Sequence, residues 1–420
     1  MSKLERVDLF DVKSGSLFFL FLIFILSLSL SYEYYQFVKL KTFDDPLVRA
    51  EVIDQEVRLI ADVPKTSMKL RLENGSSVQC AMSPYLRDLR GREVLIELQV
   101  AKVTFLDYLK GFRARGVITK VYPKLSLKEQ WYRSIASVHE DQWMRELYGA
   151  LFVATPMSQE FQTLIGGMGL SAAISISGYH FAILSAIGFF LLRPLYRVAQ
   201  NRYFPYRHGN RDLYLMILML LGFYLWALEF NPAMVRSFGM IAIGYWLYDR
   251  GIRIISFQTL AVTLGILLAF FPKLFFSLAF WFSALGVLLI FIFIRTFEHW
   301  KKWQIFLGLN VWLYLTMLPI SLSIFGTFGW IHAGSIGLNI LFNIYYPLVL
   351  AFHTVGMGGV FDPYLVSMFE YAQIKRVEIP LSVGWGSIAA ALGAIRWKWA
   401  FWVLGILGLA TLGSAIYQIA

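Results

Sequence analysis

Residues 166–192 read GGMGLSAAISISGYHFAILSAIGFFLL, an apolar run of membrane-spanning length whose first half is dense in glycine, serine and alanine and carries one histidine. A helix that faces lipid alone has no use for so many small and hydroxyl-bearing side chains. The stretch therefore predicts a membrane helix packed closely against others or lining a polar path. Read as one helix, Gly169, Ala173 and Ser177 recur every four residues, as do Gly167, Ser171 and Ser175, which gives two adjoining small-residue faces. Packing accounts for most of that pattern. It does not require Ser171, Ser175, Ser177, Gly178 and His180 to gather near mid-span, and these five are candidate lining residues of a translocation path. His180 has two readings of equal weight: a functional group at membrane depth, or a side chain hydrogen-bonded to a neighbouring helix for packing.

The whole chain agrees with a membrane setting. Its 420 residues are 58% hydrophobic and include 36 Phe, more than a soluble core of this size buries. The 38 Lys and Arg against 27 Asp and Glu give a net charge of +11, which suits anionic lipid headgroups and equally a phosphate-bearing substrate. The single cysteine, Cys80, allows neither an intrachain disulfide nor a cysteine zinc site.

Working outward, residues 14–32 (SGSLFFLFLIFILSLSLSY) are long enough to cross a bilayer. No A-x-A-like site follows them and Tyr32 to Tyr35 are bulky, so a retained anchor is favoured over a cleaved signal peptide. From 36 to 127 the pattern changes to charged, alternating segments such as LVRAEVIDQEVRLI and REVLIELQVAKV, with turn signals at Asn74-Gly75 and Gly91. That predicts a small antiparallel β domain outside the bilayer. Residues 128–165 return to helical spacing. They predict amphipathic helices along the membrane surface or, as an equal alternative, packed on the β domain.

After 165 the apolar spans fall at roughly 166–192, 212–230, 233–249, 254–271, 274–294, 303–325, 330–352, 381–395 and 397–418. The loop 193–211 has five Arg and no acid, which makes it cytoplasmic by the positive-inside rule. Counting crossings puts the β domain outside and the N-terminus inside, and the basic loops 249–253 and 295–302 obey the same topology. The short 381–395 span, with basic residues at both ends, breaks the count and suggests a re-entrant or interfacial element.

Arg236 lies near the outer end of an otherwise uncharged span. A guanidinium there needs a partner or water, so an aqueous path is favoured over snorkelling, with Glu229 as a candidate partner across the turn. Pro272, Pro319, Asn339, Asn343 and Pro347 mark later spans where a helix can break or kink beside a cavity. In the outer domain, Lys110, Arg113, Arg115, Lys120, Lys124 and Lys128 fall within nineteen residues without an acid, interleaved with Phe112 and Tyr122. Charge for a backbone and rings for bases suit single-stranded nucleic acid; attraction to an anionic leaflet is an equal reading. The six histidines have no metal-ligand spacing, and neither a Walker glycine loop nor a G-x-S-x-G elbow occurs. No metal, cofactor or catalytic residue is predicted, and the chain is not read as an enzyme.

The segment GGMGLSAAISISGYHFAIL resembles the signature of the ComEC competence family, inner-membrane channels for DNA uptake in bacteria. The match ends in an SGLH-type tetrad that is here Ser177, Gly178, Tyr179 and His180, with tyrosine for the usual leucine. VRSFGM is similar to the family's arginine motif and supplies Arg236. The stretch with Pro272 and Ser283, then LTMLPISLSIFG and NILFNIYYPLVL, resemble the family's later helices in the same order. FLDYLKGFRARGVITKV resembles the close of its N-terminal domain, an OB-type barrel.

The resemblance implies a mostly α-helical polytopic membrane protein with a small OB-like antiparallel β domain. It divides into an anchor (1–35), a periplasmic OB-like domain (36–127), interfacial helices (128–165) and a polytopic channel domain (166–420). It implies a multi-pass protein of the bacterial inner membrane, with a cytoplasmic N-terminus. Single-stranded DNA would pass from periplasm to cytoplasm by way of Ser171, Ser175, Ser177, Gly178, His180, Arg236 and Asn343. Lys110, Phe112, Arg113, Arg115, Lys120, Tyr122 and Lys124 would receive it. Expected partners are a periplasmic DNA receptor, a cytoplasmic translocase or single-strand-binding proteins, and membrane lipids; a homo-oligomer is left open. Many relatives continue into a metallo-β-lactamase-like domain, for which no HxHxDH-type run is present, so this is expected to be a short form. The alternatives are a secondary transporter for a small anion, with Arg236 as ligand and His180 as proton relay, and, last, a membrane enzyme pairing His180 with Glu229.

Overall fold

A long apolar helix, α1 (Val12–Leu40), leads into a small β barrel. The structure is a computed structural model and describes residues 12–43, 45–60, 63–83, 85–174, 178–230, 232–250 and 256–420. The barrel strands are β1 (Leu47–Ile60), β2 (Val63–Leu72), β3 (Ser77–Met82), β4 (Arg92–Gln99) and β5 (Phe112–Leu125). They close in the order β1-β2-β3-β5-β4, antiparallel throughout except for the parallel β3/β5 pair. Closure leaves no strand edge open, and period-two alternation sends Val52, Met68, Leu70, Val78, Val94, Ile96 and Leu98 into the core. The Asn74-Gly75 signal is the β2–β3 turn, where Gly75 holds φ at +75° and the Asn74 side chain accepts from Ser76 N at 3.0 Å. A short helix, α2 (Phe105–Lys110), closes the β4–β5 connection behind a Thr104/Asp107 capping box.

The helical part follows as α3 (Leu127–Ala136), α4 (Gln142–Val153), α5 (Gln159–Gly167), α6 (Ser171–Ile174), α7 (Gly178–Tyr203), α8 (Gly209–Ala227), α9 (Pro232–Asp249) and α10 (Phe257–Phe270). A 3-10 turn (Pro272–Phe276) leads to α11 (Leu278–Thr296) and α12 (Lys302–Phe325). A two-stranded ribbon, β6 (Thr327–Gly329) with β7 (Ile374–Arg376), brackets α13 (Trp330–Ala333), α14 (Ser335–Thr354) and α15 (Asp362–Glu370); α16 (Leu381–Gly393) and α17 (Lys398–Ile419) end the chain. Among the described residues six helices are long and apolar enough to cross a membrane: α1, α7, α11, α12, α14 and α17. α16 has 13 residues, about 20 Å at 1.5 Å per residue, which is short of a ~30 Å hydrocarbon core. It packs against α12 and α17 instead.

Three sequence expectations change here. The run 166–192 is not one helix: α5 stops at Gly167, the chain turns at Gly169 with φ +73°, and α6 is a single turn. Glycine's freedom at positive φ breaks the helix where apolar content alone reads as continuous. The helix of α4 does not lie on a surface either. From Leu147 to Val153 every side is buried, against α14 and α15 among others, because its apolar residues surround the helix rather than striping it. Pro272 starts the 3-10 turn rather than kinking a span, whereas Pro319 and Pro347 lie within α12 and α14.

The barrel is anchored to the turns at one end of the membrane helices. Arg71 of β2 reaches the α8–α9 turn, and Lys273 of the 3-10 turn pairs with Glu33 of α1 at 2.9 Å while reaching Ser76 Oγ at 3.2 Å. The α8–α9 and α10–α11 turns thus share the barrel's side, opposite the basic α7–α8 and α11–α12 loops. Relative sidedness agrees with the crossing count.

Candidate functional site

The break sets Gly169 and His180 against α14. Asn339 donates from Nδ2 to Gly169 O at 3.3 Å and to Ser335 O at 2.8 Å, and Asn343 donates to Asn339 O at 3.0 Å one turn further on. Spacing of four places Ser335, Asn339 and Asn343 in one strip. Close approach demands the glycine: a Cβ on Gly169 would stand 2.8 Å from Ser335 Oγ and 2.9 Å from its Cβ. Below the strip, His180 meets Tyr346 edge-on at 4.5 Å and Phe342 at 6.1 Å. Asn339 thus satisfies a carbonyl that the break frees from helix bonding, as irregular backbone at membrane depth requires.

His180 is buried, at 1% exposure, in the first turn of α7 rather than at mid-helix. Ser171 is exposed at the start of α6, and Gly178 begins α7. Ser175 and Ser177 lie outside the described residues. Asn343 is half-buried on the α14 strip. Arg236, 4% exposed on α9, donates from Nη1 to Ala279 O at 2.5 Å, in the first turn of α11. The candidate partner Glu229 does not serve it. Glu229 turns toward the barrel, where Arg71 Nη1 reaches its carboxylate at 3.2 Å and its carbonyl at 2.8 Å. The cause is the backbone: Glu229 and Phe230 both take left-handed φ, +60° and +52°, and that sharp turn aims the carboxylate outward.

At this seam Glu51 of β1 lies beside Glu229, with Arg71 4.0 Å from it and buried Lys128 of α3 close by. Burial first, then the hydrogen bond to Glu229 and its charge, push the Glu51 carboxyl up to about 8. Burial likewise holds Lys128 below the usual lysine range. A proton shared by the two carboxyls would give Glu229 Oε1 a donor that the other described polar groups do not supply.

On the barrel, Arg113, Arg115 and Lys120 are exposed along β5. Phe112 is not a stacking ring: it points the other way, is 4% exposed and belongs to the barrel core, as strand alternation requires of the residue before Arg113. Lys110 stands over the Phe276 ring at 5.6 Å, on the docked 3-10 turn. Tyr122 already carries Arg49 at 5.0 Å and Lys120 at 5.2 Å. The side chain of Lys124 lies outside the described residues. In space the acid-free run gains acids, since outward-facing Glu97 of β4 sits opposite Val117. Tyr85, in the β3–β4 connection and 93% exposed, is a free ring that the sequence reading passed over.

A third cluster was not legible in sequence. His139, before α4, meets Asp362 of α15 at 2.7 Å through Nδ1 and His353 of α14 at 3.1 Å through Nε2, and stacks on Tyr148 at 4.2 Å. Separations of 223 and 214 residues leave no local signal.

Apolar spanning helices, a chain break held against α14, and a barrel fixed to the turns at one end are the marks of a polytopic membrane protein with a small barrel on one side. Residues 154–420 match the family described as Competence protein, and the chain belongs to that family, whose members take part in DNA uptake. The resemblance read from the motifs is borne out over the polytopic region; the barrel precedes the matched residues. Comparisons with curated proteins and with solved structures returned no match.

Proposed function

We propose that this protein is the inner-membrane channel that passes single-stranded DNA from periplasm to cytoplasm during natural transformation. The observation that carries the reading is the contact of the chain break at Gly169 with Ser335 and Asn339 of α14, inside the region matched to the competence family. A broken backbone beside the Asn339 and Asn343 side chains would offer a strand's phosphates and bases hydrogen-bonding groups at membrane depth without a fixed acidic charge to repel them. Arg236 would supply a positive charge near the outer end of the path, held by Ala279 O.

In this reading the barrel is OB-like and periplasmic, and the N-terminus is cytoplasmic. The 1-2-3-5-4 strand order with a parallel β3/β5 pair supports the first, and the opposed basic loops support the other two. Arg113, Arg115 and Lys120, with Tyr85 as the free ring, would receive DNA from a periplasmic receptor. A cytoplasmic translocase or single-strand-binding proteins would supply the pull.

The test is uptake of fluorescent DNA in a transformable host lacking the chromosomal copy, scoring periplasm and cytoplasm separately. With the gene restored, DNA should reach the cytoplasm. With the deletion it should stall in the periplasm, and it should stall likewise with Arg236→Ala or Asn343→Leu, each present in the membrane near the wild-type level. Cytoplasmic entry unchanged in the deletion strain would reject the channel.

A further inference from the structure

The end of the membrane domain opposite the barrel holds a cavity of about 720 Å³ between α7 and α8. Its lining is mostly apolar, with Phe189 and Ile217 on facing helices, and includes Arg193 and Arg197. These two arginines are four residues apart on α7 and so share a face. Of the neighbouring basic residues, Arg202 lies over the Tyr203 ring at 5.6 Å, and two others face acids. Arg207 pairs with Asp212 at 2.7 Å, Asp212 also accepts from Tyr196, and Arg211 lies 3.9 Å from Asp249. Arg193 and Arg197 form no ion pair among the described residues. Arg193 is held over the Phe189 ring at 5.3 Å, and its Nε is buried with no hydrogen-bond acceptor among them. Two unpaired guanidiniums at an apolar cavity beside the spanning helix α7 call for a ligand with an anionic head and an apolar tail.

We infer that the α7–α8 cavity is a binding site for an anionic phospholipid, whose phosphodiester lies between Arg193 and Arg197 and whose acyl chain enters along Phe189 and Ile217. Arginine's planar donors suit a phosphate bidentately. A zwitterionic lipid brings its own cation to a site that already holds two, and a soluble phosphate leaves the apolar part unfilled. Both arginines lie within the C-terminal half of α7, so bound lipid would neutralise that part of α7 and fix its tilt against α8. The inference does not rest on the DNA-channel reading.

The experiment uses purified full-length protein in detergent micelles, with retained lipid counted by native mass spectrometry during titration with dioleoylphosphatidylglycerol or dioleoylphosphatidylcholine. Wild type should retain the anionic lipid at least tenfold better than the zwitterionic one. Arg193→Gln/Arg197→Gln should abolish that preference, while Arg202→Gln, which leaves both cavity arginines in place, should keep it. Ala186→Trp, which fills the apolar part and leaves both arginines, should reduce retention of the anionic lipid. Arg197→Gln alone, at an exposed position, gives a folded partial variant with an intermediate preference. Equal retention of both lipids by wild type would overturn the proposal, as would a double variant that binds the anionic lipid as wild type does. Displacement of the lipid by millimolar inorganic phosphate, with Ala186→Trp unaffected, would show a free-phosphate site instead and equally overturn it.

Discussion

Replacing His139 with alanine should unfasten the α3–α4 connection from the end of α14, and the structure sets the size of the effect. His353 donates from Nδ1 to Val349 O at 2.8 Å, so its Nε2 is an acceptor and His139 Nε2–H fills it at 3.1 Å. His139 Nδ1 then faces Asp362 at 2.7 Å, and with Nε2–H already committed that bond places a further proton between them, an ion pair when it resides on the ring. His139's side chain is 0% exposed and Asp362's is 17% exposed, so the pair is largely out of water. Removing one partner of such a pair costs about 3–5 kcal/mol, and losing the stack on Tyr148 adds ~0.5–1.5 kcal/mol. Partial exposure of Asp362 puts the expected total near the lower end, about 3.5–4.5 kcal/mol. The stranded carboxylate should account for much of the cost, so His139→Ala/Asp362→Asn should recover at least ~1.5 kcal/mol. Thermal unfolding of the purified protein, followed by tryptophan fluorescence at constant pH and detergent, measures both. A single variant that unfolds at the wild-type temperature would refute the ion pair. Single and double variants that unfold together would show that packing, not charge, holds the junction.

The remaining predictions concern the seam, the glycine break and the barrel. Glu51 keeps its proton in the folded protein up to about pH 8 but loses it near 4.5 when unfolded, so between those values the folded state binds more protons. Stability should therefore fall as pH rises from about 5 to 8 and level off above, and Glu51→Gln should flatten that slope in unfolding scans across the range. Arg71→Ala removes the bonds to the Glu229 carboxylate and carbonyl and should cost about 1–3 kcal/mol, seen as faster proteolysis near the barrel–helix junction. Gly169→Ala forces a left-handed φ on alanine and a Cβ into Ser335, so it should cost about 1–3 kcal/mol and lower DNA uptake more than membrane abundance. Phe112→Ala should destabilise the barrel by ~3–5 kcal/mol, whereas Tyr85→Ala should leave stability unchanged and weaken single-stranded DNA binding.

Local patterns carried the class of this protein. Period-two alternation with an Asn-Gly signal marked the barrel's strands and its β2–β3 turn, because side-chain direction in a strand depends on the nearest neighbours alone. Apolar runs of membrane length marked the spanning helices, because a bilayer's thickness sets the count of residues. Motif order from Gly166 to Pro347 was enough to reach the family, since order along a chain is itself a sequence property. The tertiary structure decided what faces what. A glycine at φ +73° split the run that looked most like a single helix, and its need to meet Ser335 comes from a segment more than 160 residues away. Glu229 chose Arg71 over Arg236 because two left-handed residues turned its carboxylate toward the barrel. Phe112 went inside while Arg113 went out, which follows from alternation once the barrel's inner face is known, but not from a basic run scanned for rings. The His139-Asp362-His353 junction had no signature at all, since three residues on separate elements become neighbours only when the helices between them have packed.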